Sequence, residues 1–174
     1  LLGDEQETFA NLVSVTFSAF DDFLSIDDAP DRKEAKIGYT NVGLRKRIGR
    51  GDQRRVITQN IARLSSDFAK SALACSRGVR RKRWKRALET LETDSLFGEI
   101  EVANLADIDD ADDFDDEAKG LYKKLSSGHK IVLLTITKLV ELVEERSLVL
   151  MDEPEAHLHP PLLAAFVRAV SDLL

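Results

Sequence analysis

Two adjacent carboxylates, Asp152 and Glu153, directly follow a short apolar run in the segment SLVLMDEPEAHLHP, residues 147–160. Because like charges at the end of a strand repel each other, we expect a metal, a metal-bound phosphate or solvent to compensate them. Mg²⁺ prefers hard oxygen ligands and keeps much of its water shell. We therefore predict that Asp152 holds Mg²⁺ through water, and that Glu153 accepts a proton from a water molecule that attacks a γ-phosphate.

A second segment, LSSGHK at residues 125–130, has the composition of an anion site. Ser126 offers a hydroxyl group, and Gly128 allows a ligand to approach the backbone closely. The helix predicted to follow presents free N–H groups and the positive end of its dipole. The segment therefore predicts a site for a phosphate group.

The elements around these segments would bring them to one edge of a sheet. Residues 148–151 are all apolar, which predicts a strand buried on both faces of a parallel sheet. Residues 130–145 predict a mostly buried helix before it. Pro160 and Pro161 begin another helix, whose apolar face is Leu162, Leu163, Phe166, Val170 and Leu173. Ligands of open α/β sheets bind at the carboxyl ends of the strands, where both acids would lie.

The rest of the chain divides into a strand-and-loop region and a helical region. Residues 12–23 alternate with period two, which predicts a strand, and the loop-like residues 27–51 contain the short extended piece YTNVGLRKR. From residue 53 the period becomes helical, with one face formed by Ile57, Ile61, Leu64 and Phe68. Helical spacing continues through Trp84, Leu88 and Leu91, with a break near Gly78. We predict a core part at 1–50, a helical arm or lobe at 51–120, and a part carrying both sites at 121–174.

The predicted lobe carries a basic run and an acidic run, whose default interpretation is solvated surface. The basic run is Arg77, Arg80, Arg81, Lys82, Arg83, Lys85 and Arg86, and the acidic run is Asp107, Asp109, Asp110, Asp112, Asp113, Asp115, Asp116 and Glu117. Salt links between the runs are a further possibility. The acidic run lacks the glycine and terminal glutamate of a calcium-binding EF-hand loop. A helical stripe of cations can neutralise phosphates, so the candidate contacts to nucleic acid or a partner are Arg80, Arg81, Arg83 and Arg86.

Bulk composition favours one globular domain without a membrane segment. The chain has 174 residues, of which 43% are hydrophobic and 32% charged, and its net charge of -6 argues against a surface that binds nucleic acid throughout. With one cysteine, no intrachain disulfide can form, so we expect a reduced, cytoplasmic compartment and an inert core position for Cys75. The chain begins and ends within a pattern, and we therefore expect it to be a fragment.

Other chemistries compete for the same residues. The acid pair could be an ordinary exit from a strand into a loop. His157 and His159 could bind zinc with Glu153 or Glu155, although a third histidine and the HExxH pattern are missing. We expect no catalytic serine, histidine and aspartate arrangement, because the histidines cluster and no nucleophile elbow is present.

LSSGHK, then a helix, then SLVLMDEPEAHLHP resembles the signature motif, Walker B strand and D-loop of ABC-class ATPases in order and spacing. The form DEPEAHLHP is similar to the non-transporter branch, which comprises AAA-like proteins related to the OLD family and to the SMC and DNA-break-repair ATPases. VTFSAFDDF and YTNVGLR near the start also resemble that branch. The resemblance implies an α/β fold, namely a partial P-loop NTPase (ABC-ATPase-like) sheet with an inserted helical lobe.

The same resemblance assigns roles to individual residues. Asp152 corresponds to the Walker B aspartate and Glu153 to the catalytic glutamate. The segment that would contact ATP held by a second subunit is Ser126, Ser127, Gly128 and His129, where His129 replaces the usual glutamine. Ala156 and His157 fall in the D-loop, which lines the dimer interface. The resemblance thus implies ATP and Mg²⁺ as cofactors and a head-to-tail homodimer that closes on two ATP molecules.

The expected output is a DNA or RNA transaction, an effector nuclease or antiphage defence, with no membrane partner. The chain lacks a GxxxxGK[ST] phosphate loop, so we expect this piece alone to be inactive and the parent protein to carry that loop before Leu1. The family's switch histidine would follow Leu174. Two alternatives remain: a degenerate ATPase-like scaffold that dimerises without turnover, and the nucleotide-binding subunit of a transporter.

Overall fold

The computed structural model describes residues 9–17, 38–43, 45–48, 55–58 and 60–174. Its strands are β1 (Asn11–Thr16), β2 (Gly38–Gly43), β3 (Arg45–Ile48), β4 (Arg55–Thr58) and β5 (Ser147–Asp152). Its α-helices are α1 (Ile61–Cys75), α2 (Gly78–Leu91), α3 (Ser95–Glu99), α4 (Ala111–Lys124), α5 (Ser127–Leu142) and α6 (Pro160–Leu173). Two short 3₁₀ helices cover Val102–Asp107 and Pro154–Ala156.

Three strands form a parallel sheet in the order β2-β1-β5, while β3 and β4 form an antiparallel pair. The predicted alternation is confirmed in β1, where Val13 and Val15 are buried. Residues 18–23 of the predicted strand lie outside the described residues. Thr16 aligns with Gly43 on one side and with Asp152 on the other, so these three residues mark the carboxyl edge of the sheet.

Helices α1 to α4 form the lobe, which precedes α5 in the chain and is thus inserted between β2 and β5 of one parallel sheet. This mixed α/β arrangement agrees with the predicted partial P-loop NTPase sheet with a helical insertion. Trp84 of α2 is fully buried and donates its indole N–H to the Thr137 hydroxyl of α5 at 3.1 Å. Leu88 and Leu91 are also fully buried. The lobe and the helix that precedes β5 therefore share one hydrophobic core.

The first helix of the lobe begins later than its apolar spacing predicts. Ile57 belongs to β4, so its assignment to a helix face was wrong. The side-chain oxygen of Asn60 accepts a hydrogen bond from the Arg63 N–H at 2.9 Å, which caps α1 at its first turn. Leu64 and Phe68 are buried as predicted, but Ile61 is 57% exposed. Tertiary pairing with β3 decides the conformation of Ile57, and a periodicity argument does not detect such pairing.

The predicted break between α1 and α2 is confirmed. Gly78 has a φ of 61°, a left-handed conformation that glycine adopts without the steric cost of a Cβ. Downstream, the acidic run is partly helical, since the Asp110 carboxylate accepts from the N–H groups of Asp112 and Asp113 and begins α4. Carboxylates near a helix N-terminus interact favourably with its dipole, which favours the start of α4 at this acidic run.

The prediction that residues 148–151 are buried on both faces was wrong. Most residues of β5 are half-buried, and Leu150 is 50% exposed. In the described part of the chain β5 pairs with β1 alone and is therefore an edge strand. The predicted helices on either side of β5 are confirmed: α5 is mostly buried, and α6 buries Leu162, Phe166, Val170 and Leu173. Among the described residues, no helix combines the length and apolar composition needed to cross a bilayer.

Candidate functional site

The acid pair lies at the carboxyl end of β5, as predicted. Asp152 is the last residue of the strand, and Glu153 follows with a left-handed φ of 41° before the 3₁₀ turn Pro154–Ala156. Both side chains are exposed. A non-glycine residue in this region of φ is uncommon, and such strain concentrates at functional sites. Within the described part of the chain, neither carboxylate has an ion-pair partner, so no cation of the fold neutralises the pair.

The predicted anion segment forms the N-terminus of α5. Ser126 is the N-cap residue, with its Oγ accepting from the His129 N–H at 3.4 Å. Ser126 and Ser127 are exposed, while Gly128 is half-buried. A Cβ added to Gly128 would lie 3.4 Å from Leu162 Cδ2 and 3.7 Å from the carbonyl oxygen of His157. The fold therefore brings the start of α5 against the segment that follows β5.

This contact places both predicted motifs at one end of the molecule. Residues 143–146 are the short connection from α5 to β5, so the helix returns along the sheet and its N-terminus faces the carboxyl edge. Ala156 and His157, which follow the acid pair, are exposed. An anion approaching this edge would meet the exposed hydroxyl of Ser126, the dipole of α5 and, with a divalent cation, the two carboxylates.

His129 is buried and joins Ser126 to an aspartate that sequence reasoning missed. The Ser126 Oγ lies 2.6 Å from His129 Nδ1, and His129 Nε2 lies 2.9 Å from Asp94 Oδ1. A serine, a histidine and an aspartate are thus in contact, a contact that the sequence analysis did not predict; the expectation that they form no catalytic arrangement stays a prediction. Asp94 is 1% exposed and caps α3 through the N–H groups of Leu96 and Phe97. The position of Asp94 directly before SLFGE could have identified it as a helix cap. Its pairing with His129, which lies 35 positions further along the chain, could not be predicted from local sequence.

The zinc hypothesis built on His157 and His159 with Glu153 or Glu155 is not matched by the described residues. They instead gather ligand atoms of Asp94, His129 and His159 within 4.8 Å of one another. Hydrogen bonds already engage three of the four ring nitrogens: both of His129, and Nδ1 of His159, which accepts from the Leu162 N–H at 3.3 Å. Hydrogen bonds through His129 therefore join the starts of α3 and α5, while His159 caps α6 and contacts the His129 ring with centroids 5.5 Å apart.

The basic and acidic runs pair with each other, which was one of the possibilities left open. Arg81 lies 2.9 Å from Asp109, and Lys85 lies 2.6 Å from Asp107. Arg83 donates to the carbonyl oxygens of Val143 and Leu173, and Arg80 lies 3.9 Å from Glu144. Arg86 is exposed beside Asp172 in a cavity between α2 and α6. Much of the predicted cationic stripe is thus engaged within the chain.

Cys75 and Lys130 have structural roles. Burial raises the pKa of the Cys75 thiol to about 12, and its Sγ donates to the Thr137 carbonyl at 3.4 Å, as an inert core cysteine should. Burial lowers the pKa of Lys130, which donates to the carbonyl oxygens of Lys123 and Leu125. The ammonium group of Lys130 therefore serves the end of α4.

Comparison with known proteins gives two matches. Residues 77–173 match the model of a family described as "AAA domain, putative AbiEii toxin, Type IV TA system". The match covers more than half of the chain and includes both motifs. The chain is also 38% identical, over 95% of its length, to "Protein ea59" of Escherichia phage lambda. It spans 34% of the length of that relative, or about a third. No solved structure matches the chain.

Proposed function

This chain belongs to the AAA domain family whose model it matches, and we propose that it is a piece of an ABC-like ATPase of the OLD- and SMC-related branch. Residues 1–50 would belong to the ATPase core and residues 51–120 to the inserted lobe. Residues 121–174 would carry the signature motif, the Walker B strand, the D-loop and the following helix. The phosphate loop would come from a segment outside these 174 residues, which fits a chain that spans 34% of its phage relative.

In this proposal Asp152 holds Mg²⁺ through water, and Glu153 accepts the proton of the attacking water. One observation carries the proposal: two adjacent, exposed carboxylates without a cationic partner among the described residues lie at the carboxyl edge of a parallel sheet. Carboxylate oxygens and water are the ligands that Mg²⁺ prefers. The metal would supply positive charge to the phosphates, and Glu153 would act on the water at the adjacent position.

The start of α5 would contact the γ-phosphate of ATP held by a second copy of the chain. Its predicted residues are Ser126, Ser127, Gly128 and His129, of which His129 is buried behind Ser126 and is not itself accessible. Exposure of the Ser126 and Ser127 side chains supports this assignment, because a residue that acts across an interface must be accessible before the copies meet. Ala156 and His157 are exposed beside this segment, which supports their place in the interface. The assembly would be a head-to-tail homodimer with two ATP molecules between its subunits.

We propose that ATP turnover drives a DNA or RNA transaction, an effector nuclease or a defence reaction. The toxin and toxin–antitoxin terms in the family description support an output of this class. Contact with nucleic acid or an effector would rely on Arg80 and Arg86, whose side chains are exposed. Arg81 and Arg83 would contribute less, because Arg81 lies 2.9 Å from Asp109 and Arg83 donates to the Leu173 carbonyl, whereas the contact of Arg80 with Glu144 is longer, at 3.9 Å.

The test is ATP turnover by the whole protein and by its Glu153→Gln variant. We expect turnover to fall by about 100-fold or more, since a positioned general base contributes at least that factor. ATP should still bind, so size-exclusion chromatography with ATP should detect more dimer. The matched control is Glu145→Gln, an exposed glutamate in the turn before β5, which should behave as wild type.

Two outcomes would contradict the proposal. Undiminished turnover in Glu153→Gln would remove Glu153 from the catalytic role. A wild-type protein that binds ATP and dimerises without hydrolysis would instead identify a scaffold module.

A further inference from the structure

Two histidines and one aspartate meet where three helices begin. Asp94 is the N-cap of α3, His129 lies in the first turn of α5, and His159 is the N-cap of α6. One potential ligand atom of each side chain lies within 4.8 Å of the other two. Because the three residues come from separate segments, only the folded chain brings this ligand set together.

The carboxylate of Asp94 has one oxygen that the fold leaves without a partner. Its Oδ1 accepts from the Leu96 and Phe97 N–H groups and faces His129 Nε2. Its Oδ2 is buried, with no hydrogen-bond partner among the described residues. Burying such an oxygen costs free energy unless a hydrogen bond or a cation compensates it. The Asp94 carboxylate is therefore available to a cation bound beside it.

The contacts of the His129 ring suit a metal ligand. In a neutral ring either nitrogen can carry the proton, because Nδ1 lies 2.6 Å from Ser126 Oγ and Nε2 lies 2.9 Å from Asp94 Oδ1. A metal at Nε2 selects the ring that carries its proton on Nδ1, with Ser126 Oγ as the acceptor. Histidines that bind metals usually donate their other ring N–H to an oxygen in this way, which fixes the orientation of the ring.

His159 completes the ligand set from the exposed side of the fold. Its ring lies 5.5 Å from that of His129, centroid to centroid. Its Nδ1 accepts from the Leu162 N–H at 3.3 Å, which leaves Nε2 for a metal. With Zn–N bonds of about 2.0–2.1 Å, the ligand atoms of a tetrahedral zinc site lie about 3.3 Å apart. Because His159 is exposed, a rotation of its side chain would close the remaining distance.

We propose that Asp94, His129 and His159 bind one divalent transition-metal ion, for which Zn²⁺ is the best match. Imidazole nitrogens together with a carboxylate suit zinc, whereas Mg²⁺ and Ca²⁺ prefer oxygen ligands. The ion would compensate the buried carboxylate, and water would take the fourth position on the exposed side. The site shares no ligand with the Mg²⁺ site proposed at Asp152, and it needs neither ATP nor a second copy of the chain.

Such an ion would connect the lobe to both motifs. Asp94 belongs to the lobe, His129 lies in the predicted anion segment, and His159 follows the 3₁₀ turn after the acid pair. Metal binding should therefore stabilise the fold, because an ion that binds the folded chain in preference to the unfolded one shifts the unfolding equilibrium by mass action.

The test measures zinc binding by the whole protein after dialysis against a chelator. His159→Asn removes an imidazole but keeps a side-chain oxygen suited to cap α6. Titration calorimetry should show its zinc affinity to be at least about 100-fold weaker, because loss of a residue that only orients a ligand already costs about 10–100-fold. Ser126→Ala removes such an orienting residue, and its loss should fall within that smaller range. Wild-type affinity in His159→Asn would overturn the inference.

His157→Asn is the matched control. His157 is an exposed histidine of the same segment and is not among the clustered ligand atoms of the described residues. Its zinc affinity should equal that of wild type. Equal losses in His157→Asn and His159→Asn would overturn the inference, because they would indicate that zinc binds to the surface histidines and their neighbouring acids.

Asp94→Asn tests the buried ligand. It keeps the oxygen that caps α3 but removes the charge, so its zinc affinity should also fall at least about 100-fold. If this variant does not fold, X-ray absorption at the zinc edge of the wild-type protein, loaded with one ion per chain, replaces it. We expect two imidazole nitrogens at about 2.0–2.1 Å from the zinc. A spectrum with fewer than two imidazole ligands would overturn the inference.

Thermal melting distinguishes this inference from the proposed function. Zn²⁺ should raise the melting midpoint of wild type and of Glu153→Gln alike, and it should leave that of His159→Asn nearly unchanged. A wild-type midpoint that does not respond to excess Zn²⁺ would overturn the inference, whatever the ATP turnover. A protein that Zn²⁺ stabilises but that does not hydrolyse ATP would contradict the proposed function and support the metal site.

Discussion

Two acidic regions of this chain differ in whether the chain supplies cationic partners for their carboxylates. In the lobe, Asp107 and Asp109 each lie within 3 Å of a cationic side chain from α2. At the carboxyl edge of the sheet, Asp152 and Glu153 are adjacent and exposed, with no ion-pair partner among the described residues. Charges that the chain neutralises itself serve its structure. Charges that it leaves without a partner beside a helix N-terminus are the ones available to an external cation and its phosphates.

The contrast extends to the pKa values of the lobe. A hydrogen bond from Lys85 holds the pKa of Asp107 below its ordinary value. Burial raises the pKa of Glu141, but hydrogen bonds from Lys138 and Ser71 outweigh it, so the net shift is downward. Asp107 in the lobe and Glu141 on α5 are therefore both stabilised in their charged form by a lysine of the same chain.

The largest expected effect concerns the interior of the lobe. Because burial raises the pKa of Cys75 from 9.0 to about 12, its thiolate fraction at pH 8 should be about 1,000-fold below that of an ordinary thiol. We expect a disulfide reagent to label Cys75 only when the protein unfolds, which absorbance at graded denaturant concentrations would measure. Rapid labelling of the native protein would show that the lobe opens locally.

A core substitution should damage the lobe next most strongly. Trp84→Ala removes a fully buried ring and its hydrogen bond to Thr137, so we expect unfolding to become easier by about 3–5 kcal/mol. Chemical denaturation of the whole protein measures this. The control is Val79→Ala, also on α2 but 95% exposed, which should change stability by less than about 0.5 kcal/mol. Equal effects at the two positions would contradict the packing described for α2.

Asp152→Asn should distinguish the acid pair at the sheet edge, which we expect to affect turnover, from the carboxylates of the lobe, which we expect to affect stability. Because Asp152 is exposed and without a partner in the described structure, we expect the free energy of unfolding to change by no more than about 0.5 kcal/mol. Magnesium-dependent ATP turnover by the whole protein should nevertheless fall about 100-fold, since a metal contact contributes several kcal/mol to the transition state. A large loss of stability with normal turnover would reverse the comparison.

The smallest effect is the pH dependence of the salt links in the lobe. The pKa of Asp107 is lowered in the folded state, so its contribution to stability is present above the ordinary value of 3.8 and is lost as the pH falls through the folded value. Asp107→Asn should slightly lower the melting midpoint at neutral pH, less so in high salt. Below pH 3.8 the difference from wild type should fade. A difference that grew with acid would contradict the assigned cause.

Local patterns in the sequence predicted the elements that they determine. Apolar spacing identified α1, α2 and α6, Gly78 marked the break, and the run before Asp152 identified β5. Contacts between distant segments were not predictable in the same way. Ile57 fits a helical pattern but pairs within a strand, and the burial of β5 depends on its neighbours in the sheet. Asp94 was missed because its role depends on His129, which reaches it only after the lobe has folded.

The most direct test of the proposed site mixes two inactive variants of the whole protein, Ser126→Ala and Glu153→Gln. If one copy supplies Glu153 and the other supplies Ser126, each mixed dimer has one site with both native residues. At a one-to-one ratio with free exchange of subunits, we expect roughly a quarter of wild-type ATP turnover to return. Turnover no greater than the sum of the separate variants, with exchange confirmed, would contradict a site built from two copies.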